Sequence, residues 1–247
     1  MKFNLLSSAS VIAFGSALSM LAPGAANAGL VCGVSSCTET VSLGATQTDI
    51  GTFDKGNTPP TPLTGVAVAL NDFNPALGTL KSVVVSDNAS YTSSGSLTNG
   101  GTAGTESFTF SLATRLALFG SATAPGAFPT LNKTATFGTK SFTLAQGAST
   151  AFSATTKNLI SGSSTVTTGL GAFEGSGTFD VDFATLTGET FTGGGGQIGA
   201  TLATDVSPSV TITYNFTTNV PAPEPASMAL LGAGLAGLGV VRRRRKG

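Results

Sequence analysis

Two carboxylates, Asp180 and Asp182, have the spacing in this chain that is most suited to chemistry. Residues two apart on a β-strand point to the same face, and a glycosidase needs two carboxylates about 5 to 9 Å apart. One of the two must also have a raised pKa to act as an acid. Apolar residues alternate with these aspartates, so we predict that the aspartates face solvent with ordinary pKa values. We therefore expect no catalytic role for the pair.

The same two aspartates, with Glu174 close by in sequence, are the best candidates for a calcium site. Calcium prefers clustered carboxylate and carbonyl oxygens, but the sequence has no EF-hand loop and no repeated Gly-Asp loop. We therefore predict no metal ligands and no cofactor, and calcium binding stays an alternative. The glycine run at 193–196 lacks the Lys-Ser/Thr of a phosphate loop and is interpreted as a turn.

The chain contains no histidine. This excludes Ser-His-Asp and Cys-His nucleophilic sites and most zinc sites. A Ser/Lys pair needs a Ser-x-x-Lys spacing, and we interpret the nearest sequence, from Thr130 to Lys133, as surface. Trp is absent and there are only two Tyr, so the side chains that usually stack on sugar rings are scarce. We expect the protein not to be an enzyme.

Strict alternation of apolar and polar residues predicts half-buried β-strands, most clearly at 210–216 and also at 179–183 and 108–118. Weaker strands are predicted at 40–50, 65–70, 80–86, 90–97, 134–144, 149–154 and 164–169, with turns at 57–62, 99–104, 124–129, 175–177 and 193–196. The predicted fold class is all-β, a single antiparallel β-sandwich or jelly roll of about nine to eleven strands. An N-terminal signal helix and a C-terminal transmembrane helix flank it.

Three short motifs stand in the middle of the chain: FNPALGTL at 73–80, FEGSGT at 173–178 and YNF at 214–216. They resemble motifs of the choice-of-anchor E domain, and the resemblance extends over about residues 49–216. It implies an exported bacterial domain that carries an interchangeable surface anchor. It implies no catalytic or ligand-binding residues.

The N-terminus has the order of a secretory signal peptide. Lys2 precedes an apolar stretch at 5–22, and the small residues Ala26 and Ala28 define a cleavage site. We predict that the general secretion machinery recognises residues 1–28 and that cleavage follows Ala28. The alternative is an N-terminal anchor that is not cleaved.

The C-terminus combines a Pro-Glu-Pro motif, an apolar run of 16 residues at 226–241 and a basic cluster. The motif is Pro223, Glu224 and Pro225, and the basic cluster is Arg242, Arg243, Arg244, Arg245 and Lys246. An apolar helix of this length spans about 24 Å, a little short of a typical hydrocarbon core. Consecutive cations favour the cytoplasmic side, so the larger N-terminal part is expected across the membrane.

These three parts resemble a PEP-CTERM sorting signal over residues 220–247. Such signals are processed by exosortase enzymes in Gram-negative bacteria that make exopolysaccharide. The resemblance implies an exosortase-like partner, transient anchoring in the inner membrane and cleavage near residues 223–225. In this interpretation the prolines hold an extended segment and Glu224 supplies a charge for recognition. An ordinary tail anchor is the alternative.

The segment between the two ends, residues 29–219, is long enough for one β domain with its own core. Between residues 29 and 222, six cations stand against eleven acidic residues, and this acidic balance argues against binding nucleic acid. Cys32 and Cys37 are the only cysteines. Export would place them in an oxidising compartment, where we predict a disulfide worth roughly 2 kcal/mol. Free thiols are the alternative.

The sequence thus predicts a non-enzymatic exported protein, anchored first in the inner membrane and then found at the cell surface or outside the cell. Exopolysaccharide or a biofilm matrix is the expected setting, with exopolysaccharide as a further partner. The alternative function is a carbohydrate- or calcium-binding adhesin.

Overall fold

The computed structural model describes residues 26–54, 61–101, 104–194 and 197–219. These residues form twelve β-strands and two short 3-10 turns, and they contain no α-helix. The strands are β1 Ala26–Cys32, β2 Ser36–Ser42, β3 Thr46–Gln47, β4 Thr52–Asp54, β5 Thr61–Thr64, β6 Val66–Asn71, β7 Gly78–Asn99, β8 Glu106–Gly120, β9 Leu131–Leu144, β10 Ser149–Val166, β11 Thr178–Gly193 and β12 Ile198–Thr218. The 3-10 turns are Pro75–Leu77 and Leu170–Phe173.

The two predicted helices, at 5–22 and 226–241, lie outside the described residues. Within the described ranges there is no helix of sufficient length and hydrophobicity to cross a membrane.

Two antiparallel sheets form the body of the domain. The first has the order β1-β2-β12-β7-β10, with β3 beside β12, and the second has the order β6-β11-β8-β9. Eight of the strands pair in a nested way: β2 with β12, β6 with β11, β7 with β10 and β8 with β9. This nesting is the topology of a jelly roll. The predicted all-β antiparallel fold is confirmed.

One hydrophobic core lies between the sheets. The predicted stripes at 108–118, 179–183 and 210–216 supply inward-facing side chains that are almost completely buried. Phe110 packs edge-on against Phe152, with ring centroids 4.8 Å apart, and Phe73 packs against Phe216 at 5.2 Å. Burial of these rings is the main source of stability, since apolar area removed from water contributes about 25 cal/mol per Å².

Several strand boundaries were predicted wrongly. The segments 80–86 and 90–97 form one strand, β7, and 149–154 and 164–169 form one strand, β10. The first pair is continuous because Asp87, between the two segments, takes an inward position on β7 and is buried there. The predicted strand at 40–50 instead divides into β2 and β3, which both pair with β12. The chain turns towards the second sheet only after β3, where the Thr185 N–H donates to the Ile50 carbonyl.

The outer face of the first sheet consists mainly of hydroxyl side chains. Outward positions on its four long strands are occupied by Ser36, Thr38, Thr40, Ser42, Ser82, Ser86, Ser90, Thr92, Ser94, Ser96, Thr98, Ser149, Ser153, Thr155, Ser161, Ser163, Thr165, Thr201, Ser207, Ser209, Thr211 and Thr213. Neighbouring strands are linked by hydroxyl pairs, such as Thr40 and Thr211 at 2.9 Å. Asp205 is the one carboxylate described among these outward positions. The Ser and Thr richness of the sequence therefore belongs largely to one face.

The sandwich has two ends, which we name the tail end and the far end according to their position relative to the C-terminal tail. The tail end comprises Asn219 and the connections at 33–35, 72–77, 121–130 and 167–177. The far end comprises the connections at 100–105, 145–148 and 194–197, as far as they are described. Strand β12 runs from the far end to the tail end.

Candidate functional site

The sorting residues predicted from the sequence follow the last described residue, Asn219, along the chain. Residues 223–225 and 242–246 lie outside the described residues, but the place where the tail leaves the domain is defined. Strand β12 ends at Thr218, which pairs with Gly78, and the Thr79 hydroxyl donates a hydrogen bond to the side-chain oxygen of Asn219 at 3.1 Å. The tail therefore begins at a fixed point on the first sheet.

The two cysteines lie next to this point, in the hairpin of β1 and β2. Cys32 and Cys37 pair across the hairpin and are joined by a disulfide with an S–S distance of 2.07 Å. The Gly33 N–H donates to the Ser36 carbonyl at 2.7 Å, and the Phe216 N–H donates to the Ser35 carbonyl at 2.9 Å. The hairpin turn is thus closed covalently and fixed to β12.

The predicted signal-cleavage residues lie on the same hairpin. Ala26 pairs with Ser42, and Ala28 pairs with Thr40, as backbone partners on β1 and β2. Cleavage after Ala28 would leave residues 29–32 as the remaining part of this edge strand.

Asp180 and Asp182 share the outer face of β11, as predicted, and both are half-buried. Burial, reinforced by the charge of Asp180, raises the pKa of the Asp182 carboxyl. The expectation of an ordinary pKa was therefore wrong for Asp182, because strands on both sides of β11 remove part of its water shell. The pair does not lie in a described cleft, since none of the cleft linings includes either residue.

The other sequence candidates do not assemble into a site. Glu174 is exposed in a loop at the tail end, where its backbone forms a bridge with Phe73. Thr130 and Lys133 are exposed on either side of the start of β9. Within the described residues there is no group of three or more His, Cys, Asp or Glu side chains that could hold a metal ion.

A cleft of about 400 Å³ lies where the chain crosses between the sheets. Asp49 and Glu189 contribute carboxylates, and Leu112 and Leu202 are apolar parts of the lining. Asp49 has a left-handed backbone with φ of 68°, and its carboxylate accepts a hydrogen bond from the Thr187 N–H at 2.8 Å. Burial raises the pKa of the Glu189 carboxyl. The described lining includes oxygen ligands but no aromatic ring to stack on a sugar.

A buried polar network joins the two sheets near the tail end, and sequence reasoning missed it. Glu39 on β2 accepts hydrogen bonds from the backbone and side-chain N–H groups of Asn71, at 2.8 and 2.7 Å. The Tyr214 hydroxyl donates to the Asn71 carbonyl at 2.6 Å. Burial and the nearby carboxylates Asp72 and Glu39 raise the pKa of Tyr214. The signal available in the sequence was Glu39, which stands on the same face of β2 as the buried Cys37 and Val41.

A second buried polar region, also missed, lies in the middle of β7. Asp87 and Tyr91 are almost fully buried, and neither the Asp87 carboxylate oxygens nor the Tyr91 hydroxyl has a hydrogen-bond partner within the described structure. Burial raises the pKa of Asp87, and the N–H groups of Gly162 and Asp87 and the charge of Lys133 offset this only in part. Gly162 makes room for Asp87, since a Cβ there would lie 2.6 Å from the carboxylate.

No curated protein matches the chain. Four chains of solved structures match, among them one from the crystal structure of the T13 IBDV viral particle, at 10% identity and a TM-score of 0.19. That match covers 74% of this chain and 36% of the viral chain, so the chain spans about a third of its length. The resemblance to the choice-of-anchor E domain stays a prediction.

The tail gives a definite result. A family profile described as the PEP-CTERM protein-sorting motif matches residues 221–246. This range contains the Pro-Glu-Pro motif, the apolar run and the basic cluster. The chain therefore carries a PEP-CTERM sorting motif, which implies processing by an exosortase and an exported precursor that passes through a membrane.

Proposed function

We propose that the protein is a non-enzymatic component of the bacterial surface or exopolysaccharide matrix, which an exosortase cleaves near residues 223–225. The observation that carries this proposal is the sorting motif at 221–246, which begins three residues after the end of β12 at Thr218. The jelly-roll domain is then the exported cargo, and the tail holds it at the membrane until cleavage.

The domain itself supports a structural role. Its hydroxyl face is wide and almost uncharged, so it suits contact with hydrated, neutral polymer rather than with nucleic acid, which is bound through clustered Lys and Arg. The cleft beside Asp49 has no nucleophile and base within hydrogen-bond reach of each other among the contacts described, as covalent catalysis requires. The absence of histidine from the whole chain points the same way.

The sorting role is tested by replacing the motif glutamate in the native host. Glu224→Ala should leave the full-length precursor in the inner-membrane fraction, whereas the wild-type protein should lose its tail and leave that fraction. Glu174→Ala, which changes an exposed glutamate of the domain, is the matched control and should behave like the wild type. Processing of the Glu224 variant at the normal rate, by immunoblot of fractionated cells, would contradict the proposal.

A carbohydrate- or calcium-binding adhesin is the second candidate, favoured by the oxygen-rich cleft at Asp49 and Glu189. Binding of the exported protein to a glycan array, lost in Glu189→Gln or on addition of a chelator, would support this role. Absence of binding to any glycan on the array, with and without calcium, would favour the structural role.

A further inference from the structure

The exposed apolar side chains of the domain are concentrated at the tail end. Among the described residues, the large apolar side chains that are exposed are Val31 at 72%, Val34 at 84%, Leu63 at 62% and Leu77 at 37%. Val34 lies in the β1–β2 turn, Val31 is on β1 beside it, and Leu77 closes the 3-10 turn before β7. A single exposed Val or Leu is ordinary, but Val34 and Leu77 lie together at the tail end, and Val31 is on the adjoining part of the outer sheet face.

These side chains are held in place by the structure around them. The disulfide closes the turn that carries Val34, and the contact between Phe216 and Ser35 sets this turn two residues before the end of β12. Leu77 immediately precedes Gly78, the backbone partner of Thr218. Val34 and Leu77 therefore lie close to the level at which the tail leaves the domain.

The surrounding connections carry few charges. The segments 33–35 and 121–130 contain none, and Glu174 is the charged residue of 167–177. Asp72, in the remaining connection, is half-buried and accepts a hydrogen bond from the Gly177 N–H at 3.2 Å. Bringing this end to an apolar surface would therefore desolvate little charge, which is the main cost of such contact.

The tail limits how far this end can be from the membrane. Seven residues, 219–225, separate Thr218 from the apolar run, and even fully extended they reach about 24 Å. The far end is separated from it by the length of β12, whose 21 residues span about 70 Å. The end with the exposed apolar side chains is thus the end that the tail keeps beside the bilayer.

We propose that the tail end rests on the outer surface of the phospholipid bilayer while the precursor is held by its tail, with Val34 and Leu77 in the interfacial layer. This inference depends on the proposed sorting function. Apolar side chains on a fixed turn are suited to shallow insertion, as in proteins that lie on a membrane surface. The contact holds the Pro-Glu-Pro motif at the membrane surface and orients the domain with its far end away from it.

The contact is tested by site-specific photocrosslinking of the full-length protein in host cells that lack the exosortase. A diazirine amino acid replaces Val34, Leu77 or, as the matched control, Leu63. The control residue is also apolar, and its exposure lies between those of the other two, but it is on β5, before the end of β6 that is remote from the tail. Irradiation should give severalfold more lipid adduct at positions 34 and 77 than at position 63. Val34→Asp should lower the adduct yield at position 77, and Leu63→Asp should not.

The result separates this inference from the sorting role, because resistance of the protein to carbonate extraction is measured in the same cells. A protein that stays in the membrane but gives equal adduct yields at positions 34, 77 and 63 would overturn the contact and leave the sorting role intact. A protein that is not retained in the membrane at all would overturn both.

Discussion

Two buried polar regions of the same sandwich are built in opposite ways. Near the tail end, Glu39 accepts two hydrogen bonds from Asn71, and Tyr214 donates a third to the same residue. In the middle of β7, Asp87 and Tyr91 are as deeply buried and make no hydrogen bond of ordinary geometry in the described structure. The nearby N–H groups of Gly162 and Asp87 offset the burial of the carboxylate only in part. A buried carboxylate stabilises a fold only where donors compensate for its lost hydration. The first region therefore joins the sheets, and the second is a weak point.

The largest effect is expected from Glu39→Ala. It leaves the backbone and side-chain N–H groups of Asn71 without acceptors inside the protein, so the free energy of unfolding should fall by about 3 kcal/mol. Urea denaturation measures the change. Glu174→Ala, at an exposed position, should leave the stability unchanged, and a similar loss in both variants would remove the distinction between buried and exposed glutamates.

Removal of the disulfide by substitution tests how much it stabilises the β1–β2 hairpin, which lies beside the first region. Replacing Cys32 and Cys37 together by Ser should lower the free energy of unfolding by roughly 2 kcal/mol in the chain-entropy model. Thermal denaturation of the exported protein measures the change. No difference between the variant and the wild type would show that the hydrogen bonds at Gly33 and Phe216 hold the turn without the disulfide.

Asp87→Asn should act in the opposite direction and depend on pH. The folded-state pKa of Asp87 is raised above its ordinary value of about 3.9, so the folded protein holds this proton more tightly than the unfolded chain. The contribution of Asp87 to the free energy of unfolding is therefore fully present below the ordinary pKa. It is lost as the pH rises through the raised pKa of the folded state. The variant should match the wild type at low pH and be more stable by about 1 kcal/mol at pH 8. Denaturant unfolding of both proteins between low pH and pH 8 measures this difference. A difference in the free energy of unfolding that does not change with pH would contradict the account.

The smallest effect is a difference between the two tyrosines. Tyr214→Phe removes the hydrogen bond to the Asn71 carbonyl and should cost about 1 kcal/mol, whereas Tyr91→Phe removes a hydroxyl without a partner and should cost nothing or stabilise slightly. Because both rings are buried to the same degree, each variant is the control for the other. Equal losses in equilibrium denaturation would contradict the contrast between the regions.

The fold was predictable from the sequence where burial alone decides it. The alternation in 108–118, 179–183 and 210–216 predicted the central strands, because one face of each packs on the core. The continuity of β7 was not predictable, since Asp87 in an inward position breaks the pattern that the rule depends on. Glu39 and Asn71 are distant in sequence, and only the packing of the two sheets brings them together.

The candidate site likewise has one part that the sequence predicts and another that it does not. The sorting motif could be recognised because its three parts are contiguous at 221–246 and need no fold to be identified. The apolar tail end could not, because Val34 and Leu77 are unremarkable in sequence until the register of β2, β7 and β12 places them at the same end of the domain. The raised pKa of Asp182 likewise depends on neighbouring strands that the local sequence does not specify.

Intact-mass spectrometry of the native extracellular protein tests the central claim, that the tail is a processed sorting signal, most directly. The account predicts a chain that begins after Ala28 and ends near Pro223–Pro225, and therefore lacks the apolar run and all five basic residues at 242–246. An extracellular species that retains Arg242 to Lys246 would contradict it.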